Sequence, residues 1–413
     1  MLEEISFTGL VVVAAVALLA PLLLGLAPRL RLPPVVLEIV AGIAIGPALL
    51  GWVETDTVIR VFALFGLAYL LFLAGLEIDL ERLRGRPLRV AGIGFVVSVL
   101  IALVVGYGLE TSGQVENGLI VAIILSATSL GVVVPLLKDA GEVATPFGQL
   151  TIAAASIADF ATVIILTLFF SREATGTGAQ LLLLAGFVVA AAVAVAGLVG
   201  LAHSTRLSAV LVRLQDTTAQ IRVRGAFLLL AGFVALAESL GLEVILGAFT
   251  AGAILSLVDR DALMTHPHFR TKLEGAGFGF FIPVFFVSVG LTFDLDALLA
   301  SAETVLRVPI FLVALLAVRG LPALVYRRLI GPRRTVVAGL LQATSLPFIV
   351  AGSMIGVDLG VISEATSAAL IGAGLLSVLI FPLLAATILA RGSRPDEVAE
   401  EGAAARAAEA ASA

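Results

Sequence analysis

Runs of about 20 mostly apolar residues, the length that an α-helix needs to cross a membrane, recur along almost the whole chain. Only 13% of the 413 residues are charged, against about 25% in a typical soluble domain. So little charge cannot cover a water-facing surface, which excludes a soluble enzyme and a disordered chain. The sequence therefore predicts an all-α polytopic membrane protein with thirteen spans, at 6–26, 33–50, 58–78, 88–109, 117–137, 148–170, 179–202, 225–240, 243–258, 276–292, 304–326, 335–355 and 365–390.

The placement of the basic residues tests this map. Of the 25 Lys and Arg residues, Arg60, Arg172 and Arg307 follow even-numbered spans and Arg319 lies inside a span. All the others follow odd-numbered spans or lie in the C-terminal tail. By the positive-inside rule, this asymmetry predicts an N-terminus outside the cell and a cytoplasmic C-terminus.

Short motifs recur in one order, displaced by seven spans. Ala127-Thr128-Ser129-Leu130 recurs as Ala343-Thr344-Ser345-Leu346, and Gly75-Leu76 recurs as Gly290-Leu291. Because seven is odd, matched spans run in opposite directions, as in the inverted repeats of many secondary transporters. We expect a membrane domain over 1–392 and a short cytoplasmic tail over 393–413. Within the domain, repeat 1 covers about 6–170, a linker helix 179–202, and repeat 2 about 225–390.

Asp159 is the main candidate for a functional side chain. It lies at the middle of its span, in Ser156-Ile157-Ala158-Asp159-Phe160. Ionisable groups at membrane depth are costly and mark function by default. A carboxyl group at this depth can hold a proton or exchange it for a cation, with Ser156 as a further oxygen ligand; the alternative is a hydrogen-bonded structural aspartate.

Hydroxyl groups cluster in the middle of the fifth and twelfth spans. Ser126, Thr128 and Ser129 are followed by Gly131, and Thr344 is followed by Pro347. Such clusters are typical of broken helices, whose free carbonyl groups can bind a cation. The alternative is that the hydroxyl groups bond back to their own helix or pack between helices.

Four further charged residues lie inside the predicted spans. Arg319 remains charged in any protein setting, so it is a candidate counter-charge rather than a proton carrier. Glu77 and Glu38 lie near cytoplasmic span ends, where bonds to backbone or to a nearby Arg are the simpler interpretation. Glu238 lies near an outer end, where the alternative to function is a helix-end anchor. Glu77 and Glu238 are retained as possible secondary sites.

Several strings together resemble the bacterial monovalent cation:proton antiporters of the Na+/H+ exchanger superfamily, in the branch with Kef-type and NapA-like exchangers. They include Leu71-Phe72-Leu73-Ala74-Gly75-Leu76-Glu77, Ser126 to Pro135, and Pro283 to Leu291. The resemblance implies crossing broken helices at Thr128 and Thr344, ion binding at Asp159 and a basic residue at Arg319. It also implies a homodimer. Electrogenic members carry a second acid before the binding aspartate, where this chain has Ala158.

We therefore predict a bacterial inner-membrane antiporter that exchanges protons for Na+ or K+, in monovalent cation and pH homeostasis. With one titrating acid, Asp159, exchange is expected to be 1:1 and electroneutral. The alternatives are a symporter or uniporter on a similar inverted-repeat fold, and a sensor that has lost transport. No enzyme activity, cofactor, nucleic-acid partner or nucleotide-binding regulatory domain is expected. Zero Cys and three His leave little for a metal site.

Overall fold

The computed structural model describes residues 7–26, 33–77, 86–143, 145–170, 177–202, 213–214, 217–258 and 269–390. These residues fold into helices joined by short connections, and no strand occurs among them. The predicted all-α membrane class is therefore confirmed. Seven helical stretches in the described ranges are long and apolar enough to cross a membrane, and four shorter apolar helices accompany them. The exact number of spans remains a prediction.

The described residues of the first half of the chain form eight helices. They are α1 (Thr8–Leu26), α2 (Pro34–Ile45), α3 (Thr57–Leu76), α4 (Arg86–Thr111), α5 (Gly118–Leu125), α6 (Leu130–Asp139), α7 (Pro146–Phe169) and α8 (Thr177–Ala202).

The second half begins with α9 (Ile221–Ser239), α10 (Val244–Val258) and α11 (Phe269–Ala276). A π-helical turn over Gly277–Phe281 joins α11 to α12 (Ile282–Leu291). The short α13 (Leu295–Leu299) precedes α14 (Ala302–Leu315), which continues through a π-helical turn, Leu316–Gly320, and a 3₁₀ segment, Leu321–Tyr326. The last helices are α15 (Arg327–Gln342), α16 (Pro347–Asp358) and α17 (Glu364–Ala390).

Both spans that carry the hydroxyl motifs are broken in the middle. Asn117 caps the start of α5: its side-chain Oδ1 accepts hydrogen bonds from the backbone of Leu119 and Ile120 at 3.1 and 3.2 Å. The helix ends at Leu125, and four residues separate it from the start of α6 at Leu130. In the other copy, Pro347 begins α16, because proline lacks a backbone N–H and is favoured in the first turn of a helix.

The helices pack into two bundles. The scaffold bundle contains α1, α2, α3 and α9 to α12, and the core bundle contains α4 to α7 and α14 to α17. The linker helix predicted over 179–202 corresponds to α8, which packs against α7 of the core bundle and α10 of the scaffold bundle.

Within the scaffold bundle, glycines from both copies of the repeated motif mark the closest helix contacts. Gly42 of α2 lies against Gly290 of α12, and Gly252 of α10 lies against the backbone of α3 just before Gly75. Each contact joins one helix from each predicted repeat, in the pattern that a twofold relation between the repeats would give. The repeat boundaries remain predictions, and the tail over 393–413 lies outside the described residues.

Candidate functional site

The two broken helices cross at their unwound segments, 126–129 and 343–346. The backbone N–H of Ser129 donates a hydrogen bond of 2.8 Å to the carbonyl of Thr344. The hydroxyl of Thr128 donates another, also of 2.8 Å, to the carbonyl of Gln342. Thr128, Ser129 and Thr344 are each at most 5% exposed. The repeated Ala-Thr-Ser-Leu motifs therefore meet each other in the core bundle.

This crossing gathers helix ends of both polarities. The N-termini of α6 and α16 carry partial positive charge, and the C-termini of α5 and α15 carry partial negative charge. Some peptide groups in the unwound segments bond across the crossing, as the N–H of Ser129 does to the carbonyl of Thr344, and those that are left without a helical partner can serve a ligand. The crossing can therefore bind an ion at a depth where side-chain charge is scarce.

Asp159 projects from α7 into a cavity of about 160 Å³ beside the crossing. Its carboxyl group interacts with the backbone amides of Leu130, the first residue of α6, and of Thr128, in the unwound segment before it. The cavity lies between the two bundles. The scaffold bundle contributes Val35, Leu70, Leu71, Leu73, Ala74, Glu77, Phe249, Phe278 and Phe286, and the core bundle contributes Thr128, Ser129, Leu130, Gly131, Val132, Asp159, Val163, Pro347 and Phe348.

Arg319 shares the Thr128 hydroxyl with the Gln342 carbonyl. Its Nε donates to the Thr128 hydroxyl oxygen at 2.8 Å, and its side chain is 1% exposed. Electrostatic interaction links it to Asp159, but no ion pair of 4.0 Å or less joins the two side chains. Arg319 is thus a buried positive charge close to the crossing but separate from the carboxylate.

The hydroxyl groups of Ser126 and Thr344 make hydrogen bonds within their own helices. Ser126 donates to the carbonyl of Ala122 at 2.8 Å, and Thr344 donates to the carbonyl of Leu340 at 3.1 Å. Both bonds return to the preceding helical turn, which was the alternative for these residues. Ser156 is 3% exposed but does not line the cavity.

The candidate acids differ in whether they line the cavity of Asp159. Glu77 lines the same cavity as Asp159, and its Oε2 is buried without a hydrogen-bond partner among the described residues. Glu238 is exposed near the end of α9, away from the cavity. Glu38 is 5% exposed within α2 and does not line the cavity either. The structure therefore brings Glu77, but not Glu238, to Asp159.

Two features escaped sequence analysis. One is Ser98 of α4, fully buried, whose hydroxyl contacts Arg319. The other is a second cavity of about 200 Å³ between α12, α16 and α17, lined by Asp294, Asp358 and Glu364. These acids lie in loops or at helix ends in the sequence, where charge is ordinary, so only their convergence in space distinguishes them.

The donor set at the crossing suits a small monovalent cation or a proton. It offers the carboxylate of Asp159, with Glu77 in the same cavity, together with hydroxyl and backbone oxygen atoms. Within the described ranges, no group of three or more His, Cys, Asp or Glu side chains could hold a metal ion. Crossed broken helices with a carboxylate at the crossing, between two bundles, define a secondary transporter of the inverted-repeat class.

Comparison with known proteins places the chain within that class. A family model described as "Sodium/hydrogen exchanger, transmembrane" matches residues 14–391, so the chain belongs to the sodium/hydrogen exchanger family. The family is one of transporters rather than enzymes, as the sequence predicts.

Curated relatives cover much of the chain. It is 33% identical to the putative Na+/H+ antiporter YjbQ of Bacillus subtilis over 95% of its own length and 64% of that protein, so it spans less than two thirds of this relative. It is 32% identical to the Na+/H+-K+ antiporter GerN of Bacillus cereus, covering 69% of the chain and 72% of the relative. The solved structure of the sodium proton antiporter MjNhaP1 from Methanocaldococcus jannaschii shares the fold, with a TM-score of 0.66, 16% identity and coverage of 93% and 98%.

Proposed function

We propose that this protein is a secondary antiporter that exchanges protons for Na+ or K+ across the membrane, with Asp159 as the residue that binds either ion. The observation that carries the proposal is the carboxylate of Asp159 in a cavity beside two crossed broken helices. Membership of the sodium/hydrogen exchanger family supports it. The name of GerN includes both Na+ and K+, which is why neither cation is preferred.

Competition for one carboxylate couples the two fluxes. A proton or a cation each neutralises Asp159, but one carboxylate cannot balance two positive charges at this depth. Only the site with Asp159 neutralised by a proton or a cation should cross the membrane, because moving a bare buried charge is costly. Thr128 and Ser129 offer the oxygen atoms that accompany Asp159, and Glu77 lines the same cavity.

Two cavities along the same pair of helices support alternating access. The cavity of Asp159 contacts α12 at Phe286 and α16 at Phe348. The acidic cavity contacts the same helices further along, at Val289 and Met354. Both lie between the scaffold and core bundles. Sliding one bundle past the other would close one cavity and open the path to the other.

The substitution Asp159→Asn tests the site. It removes the titrating carboxyl group but keeps its shape, so exchange in proteoliposomes should fall to the level of empty vesicles for every cation. The matched control is Glu238→Gln, which makes the same chemical change on an exposed acid outside the cavity and should exchange at the wild-type rate. Equal melting temperatures would show that both variants fold. Exchange retained by Asp159→Asn would refute the assignment.

A 1:1 exchange predicts an exchange rate that does not depend on the membrane potential. One Asp159 carboxylate carries either one proton or one monovalent cation per step, so no net charge moves. In vesicles loaded for Na+/H+ exchange, clamping the membrane potential at different values should leave the initial rate unchanged. A rate that follows the potential would contradict this stoichiometry.

We also propose that the protein lies in a bacterial inner membrane with its N-terminus outside and its C-terminus in the cytoplasm. The asymmetry of the Lys and Arg residues supports this orientation. Dimerisation is proposed from the family resemblance.

A further inference from the structure

Ser98 of α4 contacts the buried Arg319, which also bonds to Thr128 at the crossing. Ser98 is fully buried, outside both cavities. Its hydroxyl donates a hydrogen bond of 2.8 Å to the carbonyl of Val318 and accepts one of 3.2 Å from Nη1 of Arg319. One small side chain therefore contacts both the guanidinium group and the backbone that carries it.

That backbone belongs to the π-helical turn Leu316–Gly320. A π turn departs from the regular hydrogen-bond ladder of an α-helix and is frequent at functional sites. Ser98 binds the carbonyl of Val318 within this turn, so it fixes the turn as well as the side chain. Arg319 is consequently held at two points, by Thr128 at Nε and by Ser98 at Nη1.

The tether matters because the buried charge of Arg319 is attracted toward Asp159. Arg319 is 1% exposed, and opposite charges attract strongly where water is scarce. With Ser98 removed, only Thr128 still holds the guanidinium, at Nε, and we expect its free end to turn toward the Asp159 carboxylate. The protein would then supply its own cation to the site that a transported ion must occupy.

We infer that Ser98 is a positioning residue, which holds Arg319 away from Asp159 and so leaves the carboxylate available to the transported cation. This inference rests on the proposed antiport function. The positive charge of Arg319 has two opposite effects, depending on its distance from Asp159. Held at a distance, Arg319 balances the carboxylate and the helix ends; in contact, it competes with the substrate.

The test is Ser98→Ala in proteoliposomes. Loss of the tether should raise the apparent KM for Na+ at least about threefold, the order expected from one lost hydrogen bond, while the maximal rate per folded protein stays within twofold. Ser98→Thr retains a hydroxyl and should keep the wild-type KM. The matched control is Ser353→Ala in α16, where an equally buried hydroxyl has no hydrogen-bond partner among the described residues.

Each outcome of the Ser98 substitutions either supports or overturns the positioning role of this residue. An unchanged KM in Ser98→Ala, or a fall in maximal rate alone, overturns the inference. If that variant does not fold, Ser98→Cys replaces it, since a thiol is a weak hydrogen-bonding group of similar size, with the same expected rise in KM. If the wild-type protein exchanges no cation, the proposed function itself fails. If it exchanges and only KM is insensitive to Ser98, the inference alone fails.

Discussion

The hydroxyl group of Thr128 lies at the centre of the site. It donates to the carbonyl of Gln342 and accepts from Nε of Arg319, each at 2.8 Å, while the backbone amide of Thr128 interacts with Asp159. Serine could make the same bonds, but the β-branched threonine has fewer rotamers and holds its hydroxyl more rigidly. A single residue thus connects both broken helices, the fixed cation and the titrating acid.

At the residue scale, Glu116, an acid in a loop, allows a test of how the stability of the fold depends on low pH. Burial disfavours its carboxylate, but hydrogen bonds from Ser363 and Thr366, the latter 2.9 Å long, outweigh burial and hold the pKa of Glu116 below its ordinary 4.5. A carboxyl group whose pKa is lower in the folded than in the unfolded protein stabilises the fold at pH values above its unfolded pKa. This stabilisation is lost as the pH falls through the folded pKa.

We therefore expect Glu116→Gln to lower the melting temperature in detergent at pH 7, with the gap to the wild type closing below about pH 4.5. Glu238→Gln, at an exposed site, should show no such gap. A Glu116→Gln deficit that is constant from pH 7 down to pH 3 would contradict the role of the ionised carboxylate.

Sequence reasoning singles out residues that are unusual where they occur. Asp159 and Arg319 stand out because charge inside an apolar span is rare. Ser98 does not stand out, because a lone serine in a membrane helix is ordinary and only its contacts reveal a role. From the sequence, local bonds are the simpler interpretation of Glu77 and a secondary site is the alternative; in the structure it lines the cavity, where α2, α3 and α6 converge. Such convergence cannot be read from the position of a residue along the chain.

At the element scale, glycines decide how closely helices approach. A Cβ atom built on Gly252 of α10 would fall on the backbone carbonyl of Phe72 in α3. Backbone atoms cannot move aside as a flexible side chain can. We expect Gly252→Ala to destabilise the protein by about 1–3 kcal/mol, the usual cost of overpacking.

The control for this prediction is Gly232→Ala in α9, of the same bundle, where an added Cβ meets no atom within 4 Å. Alanine favours the helix over glycine by up to about 1 kcal/mol, so this variant should be as stable as the wild type or more so. Thermal unfolding of both variants in one detergent compares them. Equal losses would mean that helix contact is not the cause.

Elements were predicted well where one physical signal dominates. Apolar length located the helices, and hydroxyl groups next to glycine or proline located both breaks. The π-helical turns at Gly277–Phe281 and Leu316–Gly320 were not predicted. Their sequences are ordinary apolar helix, and the extra residue in the turn is stabilised by tertiary contacts such as the bond from Ser98 to Val318.

At the scale of the whole molecule, the site belongs to neither bundle alone. Asp159 and the crossing lie in the core bundle, while Glu77 and Phe249 come from the scaffold bundle. Transport by relative motion of the bundles requires that no contact between them be permanent. The contact of Phe160 in α7 with Phe249 in α10, whose ring centroids lie 5.8 Å apart, is a direct place to test this.

The absence of cysteine in the sequence allows a clean cross-linking experiment. In the double variant Phe160→Cys/Phe249→Cys, a short reversible thiol cross-linker should tie the two bundles together and stop exchange, and a reductant should restore it in the same sample. The control pair, Phe62→Cys/Phe280→Cys, replaces rings 5.4 Å apart within the scaffold bundle. Its cross-link should leave the rate unchanged, because both residues move together. Full exchange by the cross-linked Phe160/Phe249 pair would show that this interface stays fixed during the cycle, and alternating access would then have to arise from motion within the core bundle itself.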